Sequence, residues 1–399
     1  MERDPALLAE CRALQAAISR HPTLDAMRKS PEWSALSPRF EALLHRVHRY
    51  EPAAAANAAT VAATVPAAPP TARVRAVHWN VEHGNWYEQV ESALTSHPDL
   101  READLYLFNE IDLGMARAGN RDVTGDLARA LGRHGVWVPL FLETTIGRDD
   151  DAVTASGREN EESLFGLSIL SRWPIGRVRI VDLPSPEEVQ FDLERMLGRN
   201  IGLIAEIERP GAPFVAVAAH LEVHRTRAHR AAQARVILDA LRGERRPVIF
   251  AGDWNTHTFD RGLWHSPLTG ASAVLLWPLR PLRRRLRRPD RGRFREPLFD
   301  LLRAAGFAWE PFVDFAPTLQ LRLDRIDEAV LVRRALGTLG HRLGAAVRAI
   351  MRRAERRGAL RLDWFAGRGW SGGRGQTVHG LDGRGKASDH APIVAEFEG

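Results

Sequence analysis

Cysteine is nearly absent. The 399 residues hold one, Cys11, which excludes an intrachain disulfide framework and any thiolate-rich zinc site. A bound metal must therefore meet oxygen or nitrogen donors. Long hydrophobic runs are missing too. No stretch approaches the roughly 20 apolar residues of a membrane-spanning helix, and the amino terminus, M-E-R-D-P-A-L-L-A-E, lacks the basic-then-apolar order of a secretory signal. A reducing, cytoplasmic setting is expected, peripheral to a membrane at most. Lysine is scarce: of 56 basic residues only Lys29 and Lys386 are lysine. The net charge of +6 points toward a polyanionic partner, but abundant Arg, Ala, Leu and Gly are equally the mark of a global coding bias. Local distribution is more informative, and residues 280–295 carry nine arginines against one aspartate.

What is present divides the chain. Residues 1–50 place Leu7, Leu8, Cys11, Leu14 and Ile18, then Leu24, Met27, Phe40, Leu43 and Leu44, at helical spacing. Residues 51–72 are almost wholly Ala, Pro, Thr and Val, the composition of a linker. From Arg73 short β-rich runs alternate with helical stretches: strands are expected at 74–80, 105–109, 167–171, 201–207, 214–219, 248–251 and 393–397, and helices at 86–94, 122–131 and 228–241. Buried strands interleaved with helices predict an α+β (α/β sandwich) architecture for residues 73–399. Basic insertions interrupt it at about 271–296 and 333–360.

Several strand-like runs end in polar groups that a simple strand-to-turn reading does not need. V-R-A-V-H-W-N-V-E-H places Asn80 and Glu82 at a strand exit, and A-D-L-Y-L-F-N-E puts Glu110 after a buried run. A carboxylate at the tip of a core strand is strongly disfavoured unless it meets a cation or hydrogen-bond donors. P-F-V-A-V-A-A-H ends in His220, P-V-I-F-A-G-D-W-N-T-H brings Asp253 and Asn255, and S-D-H-A-P places Asp389 and His390 just before the last strand. Gly252 is expected to allow a tight turn there.

These segments, W-N-V (79–81), N-E (109–110), His-Leu (220–221), G-D-W-N (252–255) and S-D-H-A-P (388–392), resemble in order the motifs of the endonuclease/exonuclease/phosphatase superfamily. F-G-L-S-I-L-S-R-W-P (165–174) and R-A-A-Q (230–233) add to the resemblance, which runs from Arg73 to Glu398. It implies a four-layer sandwich, two packed mixed β-sheets flanked by helices, with the site at one rim and an N-terminal helical extension outside it.

Phosphate-ester hydrolysis needs charge neutralisation, an aligned water and stabilisation of the leaving oxygen. Glu110 is the first choice as a ligand for Mg²⁺ or Mn²⁺, with Asn80 and Asp389 beside it, since hard oxygen donors suit those ions. The resemblance implies that Asp253 orients or deprotonates the attacking water, that Asn255 holds the water or the phosphate, and that His220 donates to a phosphate oxygen. His390 is the candidate for proton transfer and needs a carboxylate to orient it. Asp363, in R-L-D-W-F, is preferred, and Asp327, in R-I-D-E-A-V, is the alternative. His83, His224, His229 and His257 flank the motifs, with His224 and His257 as candidate contacts to substrate phosphate.

The run A-S-A-V-L-L-W-P-L-R-P-L-R-R-R-L-R-R (271–288) suits an anionic membrane surface, apolar part inserted and guanidinium groups at the head groups. Arg280–Arg295 could equally grip nucleic acid or form a solvated loop. Three functions follow: hydrolysis of a lipid or small-molecule phosphate ester, a DNA or RNA nuclease, and a catalytically inactive binding module of the same fold.

Overall fold

The computed structural model describes residues 4–52, 73–147, 150–155, 157–223, 225–257, 266–321, 349–350, 352–383 and 385–399. Asp327, His224, and most of the expected linker and second basic insertion lie outside them. The larger sheet contains β1 (His48–Tyr50), β2 (Arg73–His83), β3 (Leu105–Leu113), β4 (His134–Glu143), β5 (Leu164–Ser171), β7 (Met196–Gly198), β14 (Gly372–Thr377) and β15 (Ile393–Glu398). Its order is β1-β4-β5-β3-β2-β15-β14, with β7 also on β4. The smaller sheet, ordered β13-β10-β9-β8-β6, contains β6 (Ile175–Asp182), β8 (Ile201–Ile207), β9 (Phe214–Ala219), β10 (Val248–Asp253) and β13 (Asp363–Arg368). A short pair, β11 (Leu319–Gln320) and β12 (Ala359–Leu360), stands beside them.

Side-chain alternation sorts these strands into layers, because neighbours along a strand face opposite sides. Ala76, Leu105, Leu107, Val138 and Ile169 of the larger sheet meet Leu203, Ala205, Ala216, Ala218 and Ile249 of the smaller in one core between the sheets. The intervening Val77, Trp79, Tyr106 and Phe108 face outward into a second core. Ile204, Val215, Val217 and Phe250 form the third, against the outer helices of the smaller sheet. Both faces of each sheet are therefore covered, which is why β5, β9 and β10 are buried along their whole length. The result is the expected sandwich of two packed sheets with flanking helices.

The helices are α1 (Pro5–Arg20), α2 (Leu24–Arg28), α3 (Trp33–Leu44), α4 (Tyr87–Ser96), α5 (Val123–Leu131), α6 (Asp150–Ala155), α7 (Glu187–Glu194), α8 (Arg227–Ala240), α9 (Ser266–Leu276), α10 (Leu279–Arg287) and α11 (Leu298–Ala304). Among the described residues no helix is long and apolar enough to cross a membrane. The N-terminal helices share the outer core of the larger sheet through Leu7, Cys11, Leu14, Met27 and Phe40. The chain then adds β1 to that sheet's edge, pairing His48 with Trp137. Arg195 fastens this corner by donating to the carbonyls of Ile18, His21 and Pro22.

Candidate active site

Two irregularities at the ends of parallel strands build the site. β2 and β3 run in register from Ala76/Leu105 to Asn80/Asn109, then slip, and β3 slips against β5 between Phe108 and Ile111. Such bulges re-aim side chains. Glu82, His83 and Glu110 adopt positive φ (47°, 66° and 52°), as does Asn255 (48°). Left-handed backbone is unfavourable for residues with a side chain, and here it gathers at one rim.

Across the gap, β10 delivers Asp253. Gly252 is required for close approach and not for the tight turn expected from sequence: a Cβ there would lie 1.8 Å from the Ala219 carbonyl oxygen. Asn109 stitches the sheets together, its Oδ1 accepting from the Asp253 backbone N–H at 2.7 Å. Asn80 Nδ2 donates to Glu110 Oε1 at 2.9 Å and to Asp253 Oδ2 at 3.3 Å, so one amide spans carboxylates from both sheets. Asn255 is tied into the same turn, its backbone N–H donating to Asp253 Oδ1 and its Nδ2 to the Leu221 carbonyl, both at 2.9 Å.

The imidazoles close around this pair. His220 Nε2 is 3.7 Å from Glu110 Oε1 and 3.7 Å from Asp253 Oδ2, and His390 Nε2 is 3.7 Å from the same Asp253 oxygen. These are ion-pair separations, longer than a hydrogen bond. The partner of His390 is Asp363, the cross-strand neighbour of Asp253, whose Oδ2 accepts from His390 Nδ1 at 2.8 Å. His390 is fixed further by its backbone N–H to Ser388 Oγ, by Ser388 Oγ to the Asn80 carbonyl, and by its own carbonyl to Trp79 Nε1. Asp389 is half-buried beside it.

The environments push the two central carboxylates apart. Burial alone would raise Glu110, but the charges of His83 and His220 and the Asn80 hydrogen bond hold it below the usual carboxylate range. Asp253 is raised, first by burial and then by the Asp363 charge, against the pull of His390 and His220. Asp363 is depressed despite its burial, because His390 and His78 surround it. His390 is raised well above its ordinary value although burial opposes this, chiefly by Asp363, then Asp389 and Asp253. A Glu110 held below its ordinary range suits a cation ligand, and an Asp253 of raised basicity suits proton abstraction.

Asp253, Asp363 and His390 offer atoms within 4.8 Å of one another, yet they do not read as a metal cage. Both Asp363 oxygens are taken by histidines. The oxygen donor that fits a hard cation is Glu110; Asn80 faces it with Nδ2 and would join as a ligand only with its amide turned to present Oδ1, which here accepts from the Glu82 N–H at 3.1 Å.

Sequence reasoning missed His78, Asn109 and Arg117. His78 is fully buried, with Nε2 2.9 Å from Asp363 Oδ1 and Nδ1 3.1 Å from the Leu107 carbonyl oxygen. Its signal was a polar residue on the inter-sheet face of β2, at the same parity as Ala76 and Asn80. Asn109 lies inside the N-E motif, where its acidic neighbour carries the stronger signal. Arg117 sits behind the site, paired with Asp112 at 2.7 Å and Glu143 at 3.0 Å. No local pattern marks it. His257 places Nε2 2.7 Å from the Val223 carbonyl oxygen and 3.3 Å from Arg230 Nη1, so within the described residues the ring fastens the rim. His229 likewise bonds the Pro184 carbonyl.

A cleft of about 260 Å³ opens beside Glu110 and His220, with Phe141 and Phe165 stacked in its wall. Glu143, Asp151 and Glu222 also line it.

The sequence profile of the endonuclease/exonuclease/phosphatase family matches residues 77–390. No curated protein matches the chain. Among solved structures, an endonuclease/exonuclease/phosphatase from Beutenbergia cavernae DSM 12333 is 16% identical, with 82% of this chain and 71% of that one covered at a TM-score of 0.47. A functionally unknown conserved protein from Enterococcus faecalis V583 is 16% identical, covering 82% and 100% at 0.46. The human Nocturnin catalytic domain is 13% identical, covering 82% and 93% at 0.41. With the matched profile spanning every strand-end residue described above, from Asn80 to His390, the chain belongs to the endonuclease/exonuclease/phosphatase family.

Proposed function

We propose that the protein hydrolyses a phosphate ester of a lipid head group or small molecule, using Mg²⁺ or Mn²⁺ held by Glu110, with Asn80 joining through Oδ1 once its amide turns. The observation that carries this reading is the convergence of Glu110 and Asp253, carboxylates from the two sheets bridged by one asparagine, with His220 and His390 each 3.7 Å from Asp253 Oδ2. When bound, the cation would neutralise charge on the phosphate oxygens and stabilise the leaving oxygen. Asp253 takes the proton of the attacking water, its raised basicity bringing it nearer to neutral pH. Asp363 holds His390 by Nδ1 and leaves Nε2 facing the site, where the charged ring offers a hydrogen bond to a phosphate oxygen. His220 offers a second, and Asn255 keeps the Asp253 turn in place.

The cleft favours a compact ester over a nucleic acid strand. Glu110, Glu143, Asp151 and Glu222 line it against His83, His220 and Arg117, and Arg117 is already neutralised by Asp112 and Glu143. A polyanionic strand gains affinity from basic grooves, not from carboxylate-lined ones. The test is hydrolysis of bis-p-nitrophenyl phosphate, sphingomyelin, phosphoinositides and nicked duplex, with Mg²⁺, Mn²⁺ or EDTA, comparing wild type with Glu110→Ala and His390→Ala. The expected result is metal-dependent cleavage of a non-nucleic ester that EDTA and both substitutions abolish. Full activity in EDTA, or in both variants, would overturn the reading, and preferential cleavage of the duplex would replace it with the nuclease.

A further inference from the structure

The first basic insertion folds into a lobe of its own. α9 and α10 form a helical pair whose inward side chains, Val274, Leu282 and Leu286, meet Ala354 in a small core separate from the three sandwich cores. Of the apolar part of the run 271–288, Val274 is buried in this core. What remains outside is sharply divided. Leu276 is 77% exposed and Leu279 37% at the corner between the helices, with Ile350 at 50% on the chain that leads into Ala354. These are half of the six large apolar side chains exposed among the described residues.

Arginines follow this corner along α10. Arg280, Arg283, Arg284 and Arg287 have no carboxylate within ion-pair distance among the described residues, unlike Arg288, which pairs with Asp290, and Arg295, which pairs with Asp300. Arg287 Nε is buried without a hydrogen-bond partner. Arg285 lies over the rings of both Trp277 and Phe294, beside Arg284 in a recess of about 320 Å³. Unneutralised guanidinium groups on the helix that starts at the exposed aliphatic corner match the head-group boundary of an anionic bilayer, where lipid phosphates meet the charges and the aliphatics leave water. A nucleic acid would meet the charges and leave the aliphatics unused.

The lobe is anchored to the catalytic rim at both ends. The Arg361 backbone N–H, two residues before Asp363, donates to the Leu286 carbonyl at 3.1 Å. Glu296, at the lobe's far end, forms a fully buried pair with Arg230 at 2.6 Å, and Arg230 also donates to the His257 carbonyl. We propose that the α9–α10 lobe docks the enzyme on an anionic membrane surface, with Leu276 and Leu279 entering the head-group layer and Arg280, Arg283, Arg284 and Arg287 meeting lipid phosphates. Docking does not depend on the catalytic reading.

Co-sedimentation of the full chain with phosphatidylcholine vesicles, with and without phosphatidylserine, tests this. Wild type should bind the anionic vesicles and release them as salt rises. Each arginine replaced by Gln should weaken binding about fivefold, so that the fourfold variant Arg280→Gln/Arg283→Gln/Arg284→Gln/Arg287→Gln no longer sediments. Leu276→Ser/Leu279→Ser should weaken it about tenfold while keeping the salt dependence. Far-UV circular dichroism and the thermal midpoint, which need no catalytic activity, report whether each variant is folded. Equal wild-type binding to both vesicle types, or unimpaired binding by the folded arginine variant, overturns the proposal. So does binding to duplex DNA that the arginine variant loses and the leucine variant keeps, which would assign the lobe to nucleic acid. Vesicle binding without any ester hydrolysis would leave the lobe assigned and refute the catalytic reading alone.

Discussion

The catalytic rim and the arginine lobe both concentrate charge, and they treat it in opposite ways. At the rim, Asp363 has both oxygens hydrogen-bonded, Asn80 spans two carboxylates and His390 is held by ring, backbone N–H and carbonyl. In the lobe, four guanidinium groups stand without carboxylate partners among the described residues on a helix with two buried leucines. Buried charge must be paired, because desolvation is costly, and pairing imposes the positional accuracy that catalysis requires. Surface charge has no such demand and can remain available to a partner. The rim should therefore be sensitive to single atoms and the lobe only to the sum of its charge.

The largest expected effect tests that contrast directly. Glu110→Gln keeps the shape and removes the charge, and kcat should fall by about 10³-fold with little change in thermal midpoint; a loss below tenfold would show that the rim tolerates what only the lobe should.

Asp363→Asn comes next, with kcat expected to fall by about 10²-fold. Its pH dependence carries the mechanism. His390 is raised above 6.5, so its charged form contributes stability that is complete below about pH 6.5 and is lost as pH rises through the folded value. Asp363 is depressed below 3.8, so its contribution is present above that value and is lost as pH falls toward the folded one. Removing the Asp363 charge should therefore move the alkaline limb of the kcat profile to lower pH, and an unmoved limb would separate His390 from the chemistry.

His78→Ala should be milder in rate, about tenfold in kcat with KM unchanged, but should cost about 3 kcal/mol of stability by leaving a buried carboxylate oxygen without its donor. His78→Gln should recover part of the rate. Denaturant unfolding and steady-state kinetics on both variants would show whether His78 orients Asp363 or merely fills space; equal rates in the two would favour the latter. The smallest effect belongs to the lobe, where the fourfold arginine variant should change turnover of the soluble ester less than about twofold. A larger change would mean that the two regions are coupled through Arg361 or Arg230.

Much of this was legible in one dimension. Alternation and buried runs mark β2, β3, β5 and β15, half of the larger sheet, and β8, β9 and β10 of the five strands in the smaller, and Asn80, Glu110, His220, Asp253, Asn255 and His390 stand out as polar groups at strand ends. His78 was harder, because a lone histidine between apolar residues looks like core, and its partner is 285 residues away. The role of Gly252 is invisible in one dimension, because sequence cannot show the Ala219 carbonyl pressed against it. β1 was folded into the helical extension, since three residues carry too little periodicity to be seen as a strand.

By itself the sequence determined which residue types were available and on which face of each strand they would lie, since alternation is a local property of the backbone. Only the tertiary structure decided that Asp363 bridges two histidines, that Glu110 and Asp253 share one asparagine, and that His257 turns to the rim. Those outcomes depend on the packing distance between two sheets and on register slips at their edges, both products of contacts between residues far apart in the chain.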